Sequence, residues 1–248
     1  MSPRLSSSFA ILFLIFCTPP SVAQPALTIA AASDLTDVEP MLTAQFRKFE
    51  PNTQLHFVTG ASAILAQQIE NGAPYDVFLS ANSQFVDRLA SNGKLLPGSV
   101  RVYTTGRVGI LWHDGKHHAL SDLSANWVRT VALPNPKLAP YGLAAQQVVE
   151  HAHIWQLVQP KVVYGENVRQ TLQLFETGNA DAVLTSASLL QGKNAELLPA
   201  DWHHPILQKA GIVAGSSFRK NAESFLQFLL SPAAQSVFAR FGFGAPPR

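Results

Sequence analysis

The sequence predicts an α/β protein of two lobes, each a mainly parallel sheet flanked by helices, with a ligand cleft between them. Three observations carry that expectation. Short apolar runs without helical period alternate with amphipathic segments. Four of those runs end in a turn that opens a helix. A longer β-rich run, Arg101 to Trp112, broken by Gly106 and Gly109, is long enough to carry the chain from one lobe to the other, and Ile206 to Ala214 can bring it back.

The N-terminus reads as a secretory signal. Arg4 precedes an apolar core from Phe9 to Phe16, followed by Pro19-Pro20 and the small-residue stretch Ser21-Val22-Ala23, and the apolar core is too short to span a bilayer. Cleavage is expected after Ala23, with a periplasmic destination. The single cysteine, Cys17, falls within the removed segment, so the mature chain is expected to hold no disulfide, thiol or cysteine metal site. Bulky Phe16 before Cys17 argues against lipid attachment there. About 225 residues remain, enough for two modest lobes that each bury a core. Expected divisions are residues 24–104 and 212–248 for the first lobe and 105–211 for the second.

In order, Leu27 to Ala31 reads as a buried strand and Ala32-Ser33-Asp34 as the start of a helix, with helical period from Val38 to Phe49. Gln54 to Val58 is the next strand; Thr59-Gly60-Ala61-Ser62 repeats the first turn and opens a helix to Glu70, closed by Asn71-Gly72. Val77 to Leu79 and Ser83 to Ala90 form another strand and helix. Further on come Thr130 to Leu133, a helix opened by Pro140-Tyr141-Gly142, and the strand Val162 to Tyr164. Asn167 is placed to cap the following helix, so that Val168 carries a free N–H in its first turn. Ala182 to Leu184 is a strand with Thr185 and Ser186 at its C-terminal end, and Ala222 to Leu230 and Pro232 to Phe241 are a final helical pair, the second opened by proline.

Four strand ends, at Ser33, Ser62, Tyr141 and Val168, thus face helix N-termini, where backbone N–H groups and the helix dipole favour an anion. Arg and Lys are absent from all four turns. Neutralisation would rest on N–H groups and hydroxyls inside a dry cleft. A cage made only of donors suits an ion that is fully ionised and carries no proton, such as a tetrahedral oxyanion dianion.

Other chemistries are disfavoured. Ser33 and Ser62 lie in no G-x-S-x-G elbow, and neither has a basic partner that the sequence assigns, so no catalysis is expected. Asp34 is read first as a helix cap and Asp76 as a structural residue before a strand. The eight histidines include His117-His118, His151-x-His153 and His203-His204, spacings that match no compact metal motif. There is no Walker loop and no G-x-G-x-x-G, so no cofactor is expected. Charged residues are 14% of the chain and the formal net charge is +2, too slight for a nucleic-acid surface.

The ordered set Ala31-Ala32-Ser33-Asp34-Leu35, Gly60-Ala61-Ser62 with Gln67-Gln68-Ile69, Asp76-Val77-Phe78-Leu79-Ser80-Ala81, Asn135-Pro136 with Pro140-Tyr141-Gly142, Glu166-Asn167-Val168, and Ser231-Pro232-Ala233-Ala234-Gln235 with Phe241-Gly242-Phe243 resembles the periplasmic molybdate-binding proteins of ABC transporters. The resemblance spans the mature chain. It implies a type II periplasmic-binding-protein fold that delivers molybdate, and usually tungstate, to a membrane permease, acting as a monomer. It further implies hydroxyl and amide contacts from Ser33 and Ser62 and amide contacts from Tyr141 and Val168, with Asp34 counted in the same site. Many members of that family carry a tyrosine at the position of Ser186 and a small residue at the position of Tyr141. The fifth contact is therefore open between the Tyr141 phenol, which is favoured here, and the Ser186 hydroxyl. Two rivals share the architecture: a binding protein for another oxyanion such as sulfate, and the effector lobe of a regulator.

Overall fold

A computed structural model describes residues 26–247. The expected signal segment, its cleavage point and Cys17 lie outside them. The described chain forms two five-stranded sheets built to one plan. In the first sheet β1 (Ala26–Ala32) is flanked by β2 (Gln54–Gly60) and β3 (Val77–Ser80), both parallel to it. β4 (Arg101–Gly106) closes the far edge. In the second, β5 (Val108–Trp112), β6 (Val131–Pro134), β7 (Val162–Gly165), β8 (Ala182–Ser186) and the short β9 (Glu196–Leu197) assemble in the order β7-β6-β8-β5-β9.

With β10 (Ile206–Ile212) the first sheet reads β2-β1-β3-β10-β4. The fourth position is antiparallel in both sheets: β10 runs against β3 and β4, and β5 against β8 and β9. The long β-rich run therefore divides at Arg107 between strands of different sheets. The divisions anticipated at 104/105 and 211/212 fall inside β4 and β10, both strands of the first sheet.

The strands pack by parity. Leu27, Ile29 and Ala31 of β1 and Val77 and Leu79 of β3 face one layer, made of α1 (Glu39–Phe49), α7 (Arg219–Leu229) and α8 (Pro232–Arg240). Ala30 and Phe78, one residue out of step, face α2 (Ser62–Glu70) and α3 (Ser83–Ser91) on the other side. This is the two-residue strand period with both faces buried, which is why these strands read as unbroken apolar runs. Phe46 fixes α1 against α7 by meeting Phe225 and Phe228 edge-on, each with ring centroids 5.3 Å apart. Around the second sheet, α4 (Pro140–His151) and α6 (Val168–Glu176) cover the central strands, with the single turn α5 (Trp155–Val158) beside them. That core also takes in Ala32 and Ala81 from the first lobe and Tyr141 from the second.

One expected element differs. Ser33–Leu35 forms a short 3-10 turn, and α1 begins only at Glu39. Pro40 supplies the reason. A helix running from Ser33 would bury Pro40 in its interior, where the ring and the missing N–H break the ladder, whereas at the start of α1 the lost N–H has no partner to lose. The final pair of helices follows expectation: Pro232 opens α8, and the Ser231 side chain accepts from the Ala234 N–H.

Candidate functional site

The C-terminal ends of β1, β2 and β3 and the starts of α2, α4 and α6 converge on one small cleft between the sheets. Ser33, Asp34, Ser62, Tyr141 and Val168 all line it. All five are buried, and the cavity among them measures only about 10 Å³, room for about one water. That is far below the range of pockets for drug-sized organic ligands. A wider groove opens at the opposite end of β1, along Ala26, Thr28, Asp76 and Lys94. In it, the Asp76 carboxylate is already committed, Oδ2 accepting from the Thr28 N–H at 2.8 Å and Oδ1 from the Ser216 hydroxyl at 2.6 Å.

Local sequence decides which donors the cleft receives. Ser62 is the first residue of α2, so its N–H has no carbonyl to reach within the helix. Its Oγ accepts from the Ala81 N–H at 3.2 Å, which uses a lone pair and leaves the hydroxyl proton to donate. In α4, Pro140 comes first and has no N–H, so the first donor of that helix belongs to Tyr141. Gly142 allows this helix start to lie on the end of β6: a Cβ there would come within 2.7 Å of the Pro134 carbonyl carbon. In α6 the Asn167 side chain caps as expected, accepting from Arg169 and Gln170 N–H, each at 3.0 Å. That leaves the Val168 N–H to the cleft, and Thr185 anchors the same residue by donating from Oγ1 to the Val168 carbonyl at 3.1 Å. The Ser33 hydroxyl makes no hydrogen bond to protein among the described residues.

Asp34 is not a cap. The turn it belongs to has no side-chain cap bond, and its carboxyl is fully buried at the junction of the two lobes. Oδ2 accepts from the Tyr141 hydroxyl at 2.8 Å and from Gln208 Nε2. Gln208 Nε2 also lies 3.0 Å from the Tyr141 hydroxyl, and Tyr103 donates to Gln208 Oε1 at 2.6 Å. Oδ1 has no partner among the described residues. Burial pushes the Asp34 carboxyl up to about 6, against the opposing pull of the Gln208 and Tyr141 hydrogen bonds. Burial and the neighbouring Asp34 charge hold the Tyr141 and Tyr103 phenols well above their ordinary value.

The Tyr141 phenol therefore already has a carboxylate partner. Gly106 makes room for it, since a Cβ at that position would collide with the tyrosine hydroxyl and lie 2.7 Å from Cζ. Ser186 stands outside the cleft lining; its hydroxyl is 2.8 Å from that of Ser188, which in turn donates to the Asp34 carbonyl at 2.6 Å. Further closure comes from the Ala63 N–H, which donates to the Leu138 carbonyl across the lobes at 3.3 Å, and from an exposed Arg169–Asp37 pair at 3.8 Å. No group of three or more metal-ligating side chains occurs among the described residues. Of the singled-out histidines, His118 sits 2.9 Å from Asp114, and His151 stacks on Trp202.

Gln208 and Ser188 escape a reading of the sequence as lobes and turns. Gln208 left one trace: along Ile206–Ile212 it stands at the parity of Ile206 and Ala210, where the alternation calls for an apolar residue, and it is fully buried.

Comparison with known proteins agrees with this architecture. A family model described as bacterial extracellular solute-binding protein matches residues 27–244. A putative ABC transporter substrate-binding lipoprotein of Bacillus subtilis is 31% identical over 88% of this chain and 86% of its own length. The molybdate-binding protein of Rhodobacter capsulatus is 30% identical over 86% of each. The solved periplasmic molybdate-binding protein of Azotobacter vinelandii superposes with a TM-score of 0.84 at 28% identity, covering 89% of this chain and 100% of that one. Fold, cleft and relatives together make this chain a member of the bacterial extracellular solute-binding protein family.

Proposed function

We propose that this protein captures molybdate, and tungstate alongside it, outside the cytoplasm and delivers the anion to the permease of an ABC transporter. One observation carries the reading: the residues that supply the first N–H groups of three helices, Ser62, Tyr141 and Val168, line with Ser33 a single small cleft whose lining holds no lysine, arginine or histidine. Relatives named as molybdate-binding proteins support the choice of anion. The ligand contacts are the hydroxyls and N–H groups of Ser33 and Ser62 and the N–H groups of Tyr141 and Val168. The Tyr141 phenol acts on the lobe closure through Asp34, and Ser186 buttresses the Ser188 contact. Ser33 and Ser62 do no nucleophilic chemistry, because neither hydroxyl is bonded to a base. Export with cleavage after Ala23 and a monomeric state complete the proposal.

Calorimetric titration of the mature protein with molybdate, tungstate, sulfate and phosphate tests it. Molybdate and tungstate are expected to bind alike and more tightly than sulfate, whose shorter bonds leave the donors stretched. Phosphate, which carries a proton near neutral pH, is expected to bind worst. Sulfate or phosphate binding more tightly than molybdate would overturn the assignment.

A further inference from the structure

Asp34 poses an electrostatic problem that the donor cage alone does not answer. The residue lines the cleft meant for a dianion and its carboxyl is fully buried beside it, and two like charges that close in a dry site repel strongly. Among the described residues nothing cationic offsets it. Around Asp34 stand Tyr141 on α4, Tyr103 on β4, Gln208 on β10, and the Ser186 and Ser188 hydroxyls after β8. Arg169 on α6 is exposed and pairs with Asp37, and Lys209, next to Gln208, bonds the Asp87 carboxylate instead. No lysine, arginine or histidine contributes to the Asp34 titration.

The two carboxyl oxygens are not equivalent. Oδ2 already accepts from the Tyr141 hydroxyl and Gln208 Nε2, so a proton has its open position on Oδ1, the buried oxygen without a partner. A protonated Oδ1 turns the repulsive group into one more donor. We propose that Asp34 holds the oxyanion as a neutral acid, donating from Oδ1, so that each dianion captured takes up one proton from solvent and gives it back on release. This deepens the reading of the cleft as an oxyanion site and rests on it. It also gives the Tyr141–Gln208 pair a purpose: by occupying Oδ2 they leave Oδ1 as the oxygen free to carry the proton.

The sign follows from linkage. In the empty cleft burial already lifts the carboxyl to about 6, and a bound dianion lifts it further, because the charged form then faces two negative charges. Below the empty-state value Asp34 is neutral before and after binding, and affinity does not depend on pH. Above it the free protein must acquire a proton to bind, and Kd rises toward tenfold per pH unit until the bound-state value is reached.

The test uses the mature wild-type protein and molybdate, which stays a dianion above about pH 6. Titrations at a series of pH values up to about 8.5, in buffers of different ionisation enthalpy, give both Kd and the protons taken up. Expected are a weakening Kd above pH 6 and net uptake approaching one proton per molybdate at pH 7 to 8. Asp34→Asn keeps a donor at that position and cannot ionise, so its Kd is expected to stay flat over the range and its proton uptake to vanish. A wild-type Kd that is constant over the range with no proton uptake would overturn the proposal while leaving the oxyanion reading intact. Wild-type protein that binds neither molybdate nor tungstate at any pH would overturn both. The proton count needs no variant, so it stands even if Asp34→Asn fails to fold.

Discussion

At the scale of single residues, Ser33 and Ser62 look interchangeable, each a serine after a strand, yet their surroundings separate them. The Ser62 oxygen also accepts from the buried Ala81 N–H, while the Ser33 hydroxyl has no protein partner among the described residues. Each serine replaced by alanine is expected to weaken molybdate binding by about 1.5–3 kcal/mol, the range for a hydrogen bond to a charged group. Ser62→Ala should in addition lower the melting temperature of the empty protein, because it strands the Ala81 N–H at a cost of about 1–3 kcal/mol. Ser33→Ala should not. Calorimetric titration beside thermal unfolding reads both. Equal melting temperatures for the two variants would contradict the role given to Ala81.

What the sequence shows at this scale depends on distance along the chain. Ser62, Tyr141 and Val168 are legible because a strand end, a helix start and a proline or asparagine lie within a few residues of each. Asp34 is legible as a member of the site but not in its role. Its partners Tyr141, Ser188 and Gln208 lie 107, 154 and 174 residues away, and no local pattern encodes such contacts. The Tyr141 phenol illustrates the same limit: its position at a helix start is written locally, whereas the carboxylate that its hydroxyl meets comes from the other lobe.

At the scale of elements, the strand-to-helix turns were readable and their exact geometry was not. Pro40 was available as a signal that no helix runs through from Ser33, and its effect is the 3-10 turn that sets Asp34 inward rather than as a cap. Gly106, expected only as a break in a β run, proves to be the floor beneath Tyr141. Gly106→Ala should therefore displace the tyrosine ring and loosen its bond to Asp34, costing about 1–3 kcal/mol of stability by overpacking and weakening molybdate binding with it. A similar loss of binding in Gly106→Ala and in Tyr141→Phe, with little further loss in the double variant, would tie the effect to that contact. A Gly106→Ala protein with unchanged stability would show that the close approach has no energetic weight.

At the scale of the whole molecule, the two sheets share one strand plan, and the chain passes between them twice, after β4 and again before β10. Alternation of strand and helix made the two-sheet α/β plan legible. The antiparallel fourth strand was not, because pairing direction depends on which sheet a strand joins and leaves no mark on composition. Tyr141 sits where both passages come together, against Gly106 at one and Gln208 at the other. One side chain thus joins both passages to the lining of the cleft. The most direct measurement is anomalous diffraction from crystals of the protein grown with tungstate, whose metal locates itself. One strong peak is expected between the N–H groups of Ser62, Tyr141 and Val168 and the Ser33 hydroxyl, with Asp34 Oδ1 at hydrogen-bond distance from an oxygen of the anion. A peak outside that cleft, or an anion held there by lysine or arginine side chains, would contradict it.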